Sequence, residues 1–287
     1  MGMTYWLSVL FFLGSLTSSA FGQPVQGTLE KIKSAKSMTM GYREASLPFS
    51  YVGDEKQPRG YTIDLCMRVA AGIQQQLGLN DLRVTWTPVT PENRITMVVN
   101  GTIDLECGTT TNTLSRQAQV DFSQMIFVDG GSLLVRTASN IKSLSDIAGK
   151  RVAVVPGTTT EEVMTEALQK MDVAVELVRV REHSDGLAAL ENGTADAYAS
   201  DRVILIGLAL TSKDPTKLAL AEQYLSYEPY GLMLRRGDAD FRLAVNRVLS
   251  RLYRSGQIYP IYERWFGAVD RASPLLQTMY RLNGLPE

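Results

Sequence analysis

Apolar positions along the chain follow two rhythms. Some form short runs bounded by turn residues; elsewhere apolar side chains recur about every three to four positions. The pattern predicts a strand over Ser37–Tyr42 and a helix over Tyr61–Leu77. Further strands are expected over Leu82–Thr87, Ile103–Glu106, Arg151–Val155, Glu176–Val180 and Ala195–Ala199, each followed by a helix or a capping cluster. Helical spacing returns over Glu182–Asn192 and Asp240–Arg254, and Gln257–Phe266 continues it. Strands alternating with helices indicate the α/β class, whose ligand sites gather at the carboxyl ends of the strands.

One short motif repeats. Asn100-Gly101-Thr102-Ile103-Asp104 returns as Asn192-Gly193-Thr194-Ala195-Asp196, each time after a helical stretch and before a short strand. Either chance or two similar lobes accounts for it. Asp129-Gly130-Gly131 and Glu228-Pro229-Tyr230-Gly231 both interrupt apolar runs, as two crossings between lobes would. On that reading residues 129–228 form one lobe, and 27–128 with 229–287 form the other.

Composition narrows the classes. The first twenty-two residues hold no charged side chain, and the run Trp6–Leu16 precedes Ser18, Ser19, Ala20, Phe21 and Gly22. Residues 1–22 therefore read as an export signal cleaved after Gly22, too short in its apolar part for a comfortable membrane span. No Lys or Arg precedes the run, which leaves an uncleaved anchor or a misplaced start codon open. The formal charge is −1, with 29 basic residues scattered rather than clustered, so nucleic acid is not an expected partner. The two cysteines, Cys66 and Cys107, are either a disulfide formed in an oxidising compartment or two buried thiols; the sequence does not supply their separation. With one histidine in the chain, no metal-ligand set is expected and no cofactor is implied.

The candidate chemistry is that of an anion grip. Gly108-Thr109-Thr110-Thr111-Asn112-Thr113-Leu114-Ser115-Arg116 puts hydroxyls at what reads as a helix start and an arginine shortly after, a pattern equally suited to an ordinary capped helix. Arg43 follows the first strand and Arg94 opens a helix, so with Arg116 three cations stand at strand ends of one lobe. They repel one another unless an anion joins them. Val155-Pro156-Gly157-Thr158-Thr159-Thr160 forms a second seat of the same type, with Thr159 or Thr160 as the helix cap; it lacks the second Gly and the Lys of a nucleotide loop. His183 heads a helix, and Asp201 follows a strand, where its carboxylate suits either an ammonium or a helix cap.

These residues resemble the periplasmic solute-binding proteins of polar amino-acid ABC transporters, especially those that bind glutamate and aspartate. The resemblance spans nearly the whole chain after the signal, through Gly41-Tyr42-Arg43-Glu44, Pro48-Phe49-Ser50-Tyr51, Asn93-Arg94-Ile95, Glu106-Cys107-Gly108, Thr110-Thr111-Asn112, Arg116-Gln117, Gly157-Thr158-Thr159 and Trp265-Phe266. It implies a two-lobed type II binding fold with the ligand in the cleft, a periplasmic monomer, and an ABC permease with its ATPase as partners. It implies Arg116 on the α-carboxylate, helped by Thr109, Thr111 and the N–H groups near Thr159. Asp201 would accept from the ammonium, and Arg43, Arg94 and His183 would receive the side-chain carboxylate of L-glutamate or L-aspartate. Similar proteins carry Ser where this chain has Pro91, which leaves the balance between the two ligands open. Two rival readings share the fold: a dehydratase, which needs a free general acid that Asp201 does not obviously provide, and a ligand sensor for a membrane receptor.

Overall fold

The computed structural model describes Met1 and residues 27–171, 174–267 and 271–287; the rest of the expected export signal lies outside them. After α1 (Thr28–Ala35), β1 (Ser37–Tyr42) leads into a small antiparallel sheet of β2 (Ala45–Ser46), β3 (Ser50–Val52) and β4 (Pro58–Arg59). Then follow α2 (Tyr61–Gln76), β5 (Arg83–Pro88), α3 (Arg94–Val99), β6 (Leu105–Cys107), the single-turn α4 (Leu114–Gln117) and β7 (Val120–Asp129). Beyond Gly130 come β8 (Gly131–Arg136), β9 (Arg151–Val154), α5 (Thr159–Met171), β10 (Glu176–Arg179), α6 (His183–Glu191), β11 (Ala197–Asp201), α7 (Arg202–Thr211) and β12 (Leu218–Leu220). The chain closes with β13 (Glu228–Arg235), α8 (Ala239–Arg254), α9 (Ile258–Phe266) and α10 (Pro274–Asn283).

Two five-stranded sheets result, ordered β5-β1-β6-β13-β7 and β10-β9-β11-β8-β12. In each, a parallel trio continues into an antiparallel pair. The chain leaves the first sheet at Gly130 and returns between Leu220 and Glu228, and Glu228 pairs with Asp129 where the two connecting strands run side by side. The fold is therefore the expected two-lobed α/β arrangement.

The repeated pentapeptide has a physical meaning in this fold. Gly101 and Gly193 both take positive φ, 74° and 72°, just past the C-caps Asn100 and Asn192, a backbone state that glycine adopts without strain. The aspartate closing each motif ties down the middle strand of its sheet's parallel trio: Asp104 accepts from Thr39 N–H and Asp196 from Arg151 N–H, both at 2.9 Å. The same device anchors both lobes.

Three expectations shift. The strand expected over Ile103–Glu106 is Leu105–Cys107, because Asp104 is spent on that anchor, and the strand expected over Ala195–Ala199 runs Ala197–Asp201 for the same reason. The stretch around Thr109–Asn112 opens no helix: Thr111 bridges to Tyr230, and only Leu114–Gln117 is helical, capped by Thr113. At the second seat the cap is Thr158, whose hydroxyl accepts from Glu161 N–H at 3.2 Å, rather than Thr159 or Thr160. The cysteines are bonded, S–S 2.09 Å with Cα atoms 6.2 Å apart, joining α2 to the end of β6.

Candidate functional site

The carboxyl ends of β1, β6 and β11 and the starts of α3, α5 and α6 converge between the lobes. A small enclosed cavity lies there, lined by Arg43, Arg94, Thr109, Thr111, Thr158, Thr159, Thr160, His183, Ser200 and Asp201. Seven of the eight residues singled out in the sequence line it; Arg116 does not. Arg116 stands beside it, donating from Nη1 to Thr111 O at 2.9 Å and from Nη2 to Gly157 O at 3.3 Å, so it ties the lobes together at the rim.

The two arginines in the cavity wall differ in one respect. Arg43 is buried and donates from Nη2 to Glu182 across the cleft at 2.6 Å, which compensates its charge. The side chain of Arg94, a residue only 3 % exposed, has no hydrogen-bond or ion-pair partner among the described residues, and its Nε is fully enclosed. Burial pushes its guanidinium down to about 9, and repulsion from Arg116 and Arg43 acts in the same direction. An unpaired buried cation is costly unless an anion meets it. His183 sits beside these cations with Nδ1 paired to the Tyr198 hydroxyl at 2.6 Å. Burial, then Arg43 and Arg94, hold it well below the usual imidazole range, so the neutral ring offers a hydrogen-bond donor rather than a charge.

The same cavity also carries acidic groups. Asp201 accepts from Thr160 Oγ1 at 3.2 Å and from the Tyr230 hydroxyl, and burial together with Glu228 and Asp129 pushes it up to about 8. Asp129, at the crossing, is raised to about 6 by burial although it accepts from Gly130 and Val203 N–H groups. A cation placed beside Asp201 relieves this congestion of carboxylates. The site thus holds both an unpaired cation and crowded acids.

Sequence reasoning gave no role to Glu182, Glu228 or Glu106. Glu182 precedes the lone histidine and sits in a capping box with Asp185, which hides its reach to Arg43. Glu228 borders a predicted crossing, and no local pattern announces that it gathers hydroxyls from both lobes. Glu106 lies buried in β6, with one oxygen bound by Thr110 Oγ1 and the other unpartnered.

Comparison with known proteins agrees with this geometry. A model of the bacterial extracellular solute-binding proteins, family 3, matches residues 38–268. An L-glutamate/L-aspartate-binding protein of Pseudomonas aeruginosa is 37% identical over 261 residues, 91% of this chain and 86% of that protein. A glutamate/aspartate import solute-binding protein of Salmonella typhimurium is 33% identical over 265 residues, 92% and 88% of the two chains. Among solved structures, an ancestral amino acid-binding protein described as a precursor of cyclohexadienyl dehydratase superposes with TM-score 0.73 at 27% identity, covering 83% of this chain and 99% of that one.

Proposed function

The chain belongs to the bacterial extracellular solute-binding proteins, family 3, and we propose that it captures L-glutamate or L-aspartate by closing two lobes around it and delivers it to an ABC importer. The observation that carries the reading is Arg94: a buried guanidinium without a side-chain partner among the described residues, in the wall of a cavity that also presents a crowded carboxylate. A free acidic amino acid supplies what each group lacks. Its side-chain carboxylate meets Arg94, with Arg43 and the neutral His183 beside it, and its ammonium meets Asp201. The remaining N–H groups of Arg116, with Thr109 and the backbone near Thr159, receive the α-carboxylate.

Lobe 1 comprises residues 27–128 and 229–287 and lobe 2 residues 129–228, so these groups come from both sides and act together only in the closed form. Each charge-assisted contact contributes about 1.5–3 kcal/mol, and a few of them reach the roughly 8 kcal/mol of micromolar binding. The protein acts as an exported periplasmic monomer whose closed form docks on a permease driven by an ATPase. One structural neighbour, itself an amino acid-binding protein, is described as a precursor of a dehydratase; here the acid that lines the cavity, Asp201, is held by Thr160 and Tyr230 and assigned to the ammonium, so we read the chain as a binding protein.

Equilibrium dialysis with radiolabelled L-glutamate, competed by a panel of amino acids, tests this. L-glutamate and L-aspartate displace the label, and L-glutamine, L-histidine and L-lysine do so only at far higher concentration. Equal displacement by L-glutamine refutes it.

A further inference from the structure

Six of the ten residues of the cavity wall carry hydroxyls, and four of the threonine protons are already spent. Thr111 Oγ1 donates to Glu228 Oε2 at 2.5 Å and Thr159 Oγ1 to the same oxygen at 2.7 Å, while Ser226 holds the other oxygen at 2.5 Å. Thr160 donates to Asp201 at 3.2 Å and Thr158 to Val155 O at 2.7 Å. Of the five threonines lining the cavity, only Thr109 has no side-chain bond among the described residues. A hydroxyl has one proton and two lone pairs, so one that has donated its proton offers a ligand only an acceptor.

We propose that Glu228, buried and outside the cavity lining, is a positioning residue that fixes Thr111 and Thr159 as acceptors and so makes this part of the wall select an ammonium group. The arrangement uses both lobes. Thr111 comes from the first lobe and Thr159 from the second, and Glu228 sits on the returning strand between them, paired with Asp129. Closure therefore orients the hydroxyls as it brings them together. This revises one role implied by the resemblance: Thr111 faces the ammonium beside Asp201, not the α-carboxylate. The inference rests on the amino-acid-binding reading above but concerns the ammonium, which every amino acid carries.

The test is the ratio of affinities for L-glutamate and glutarate, the same diacid without its amino group, measured by calorimetry at one pH on the full exported chain. Glu228→Met removes the acceptor, frees both hydroxyl protons to turn toward the ligand, and lowers the ratio by about tenfold or more. Glu228→Gln keeps an amide oxygen to receive the threonine protons and lowers the ratio by less than about threefold. A ratio unchanged in Glu228→Met overturns the proposal. So does a Glu228→Gln loss equal to that of Glu228→Met, which would assign the effect to charge rather than orientation. If circular dichroism shows Glu228→Met unfolded, Thr111→Val carries the test against Thr111→Ser: the proposal requires the ratio to fall only in the valine variant, and equal ratios overturn it. Should the wild type bind a neutral amino acid instead, the acidic assignment fails, while the same comparison with that amino acid and its deaminated analogue still tests Glu228.

Discussion

Replacing Arg94 by methionine separates stability from function. Burial depresses the guanidinium from its ordinary value to about 9, and at about 1.36 kcal/mol per pH unit that shift is a folding penalty on the order of 5 kcal/mol. Because the folded value lies below the unfolded one, the penalty is fully present at every pH below about 9 and is relieved as pH rises through that value. It is a ceiling, since opening the cleft rehydrates the side chain, and exchanges of buried charge for apolar side chains return about 1–4 kcal/mol. Arg94→Met is therefore expected to stabilise the ligand-free protein by about 1–3 kcal/mol, raising its melting temperature by about 3–9 °C. The same change removes the only unpaired cation of the cavity wall among the described residues, and L-glutamate affinity falls by about a hundredfold or more. Scanning calorimetry with and without L-glutamate reads both effects: the wild type gains stability with ligand, and the variant starts higher and gains little. A variant that melts lower than wild type, or that keeps its ligand shift, refutes the reasoning that Arg94 waits for an anion.

Other outcomes follow from the same geometry. Arg116→Ala should weaken every amino acid alike, whereas Arg94→Ala should weaken the acidic ones; equal losses across ligands in both variants defeat that division. Asp201 stands near 8 without ligand, and a bound ammonium lowers it, so affinity should rise by up to about tenfold per unit between pH 6 and 8, with a proton released on binding; a flat profile contradicts this. Gly157 has φ 73°, and a Cβ there would lie 3.2 Å from the Pro91 backbone of the facing lobe, so Gly157→Val should prop the cleft open and weaken all ligands, visible as a larger radius of gyration with ligand in small-angle scattering. Removing both cysteines opens the 41-residue separation closed by the disulfide and should cost up to about 4 kcal/mol in urea unfolding, with ligand affinity little changed.

Much of this was legible locally. β1 was read with its bounds, the repeated Asn-Gly-Thr-x-Asp motif marked equivalent anchors in two lobes, and the placement of Arg43, Arg94, His183 and Asp201 at element ends put them in one cavity. What escaped depends on partners distant in sequence. Thr109–Asn112 has the composition of a helix start, but pairing of Thr111 with Tyr230, far along the chain, holds it extended. Arg43 and Arg94 look alike in the sequence, and only the fold shows that Glu182 neutralises one and leaves the other bare. β7 and β13 escape as strands because they form where the two lobes join and pair with each other about a hundred residues apart, and β8 escapes because it pairs with the distant β11 and β12.

The most direct measurement is calorimetric titration of the ligand-free protein with L-glutamate and with L-glutamine, which differ only in the group offered to Arg94. The account predicts that L-glutamate binds about tenfold tighter or more. Equal affinities would contradict it.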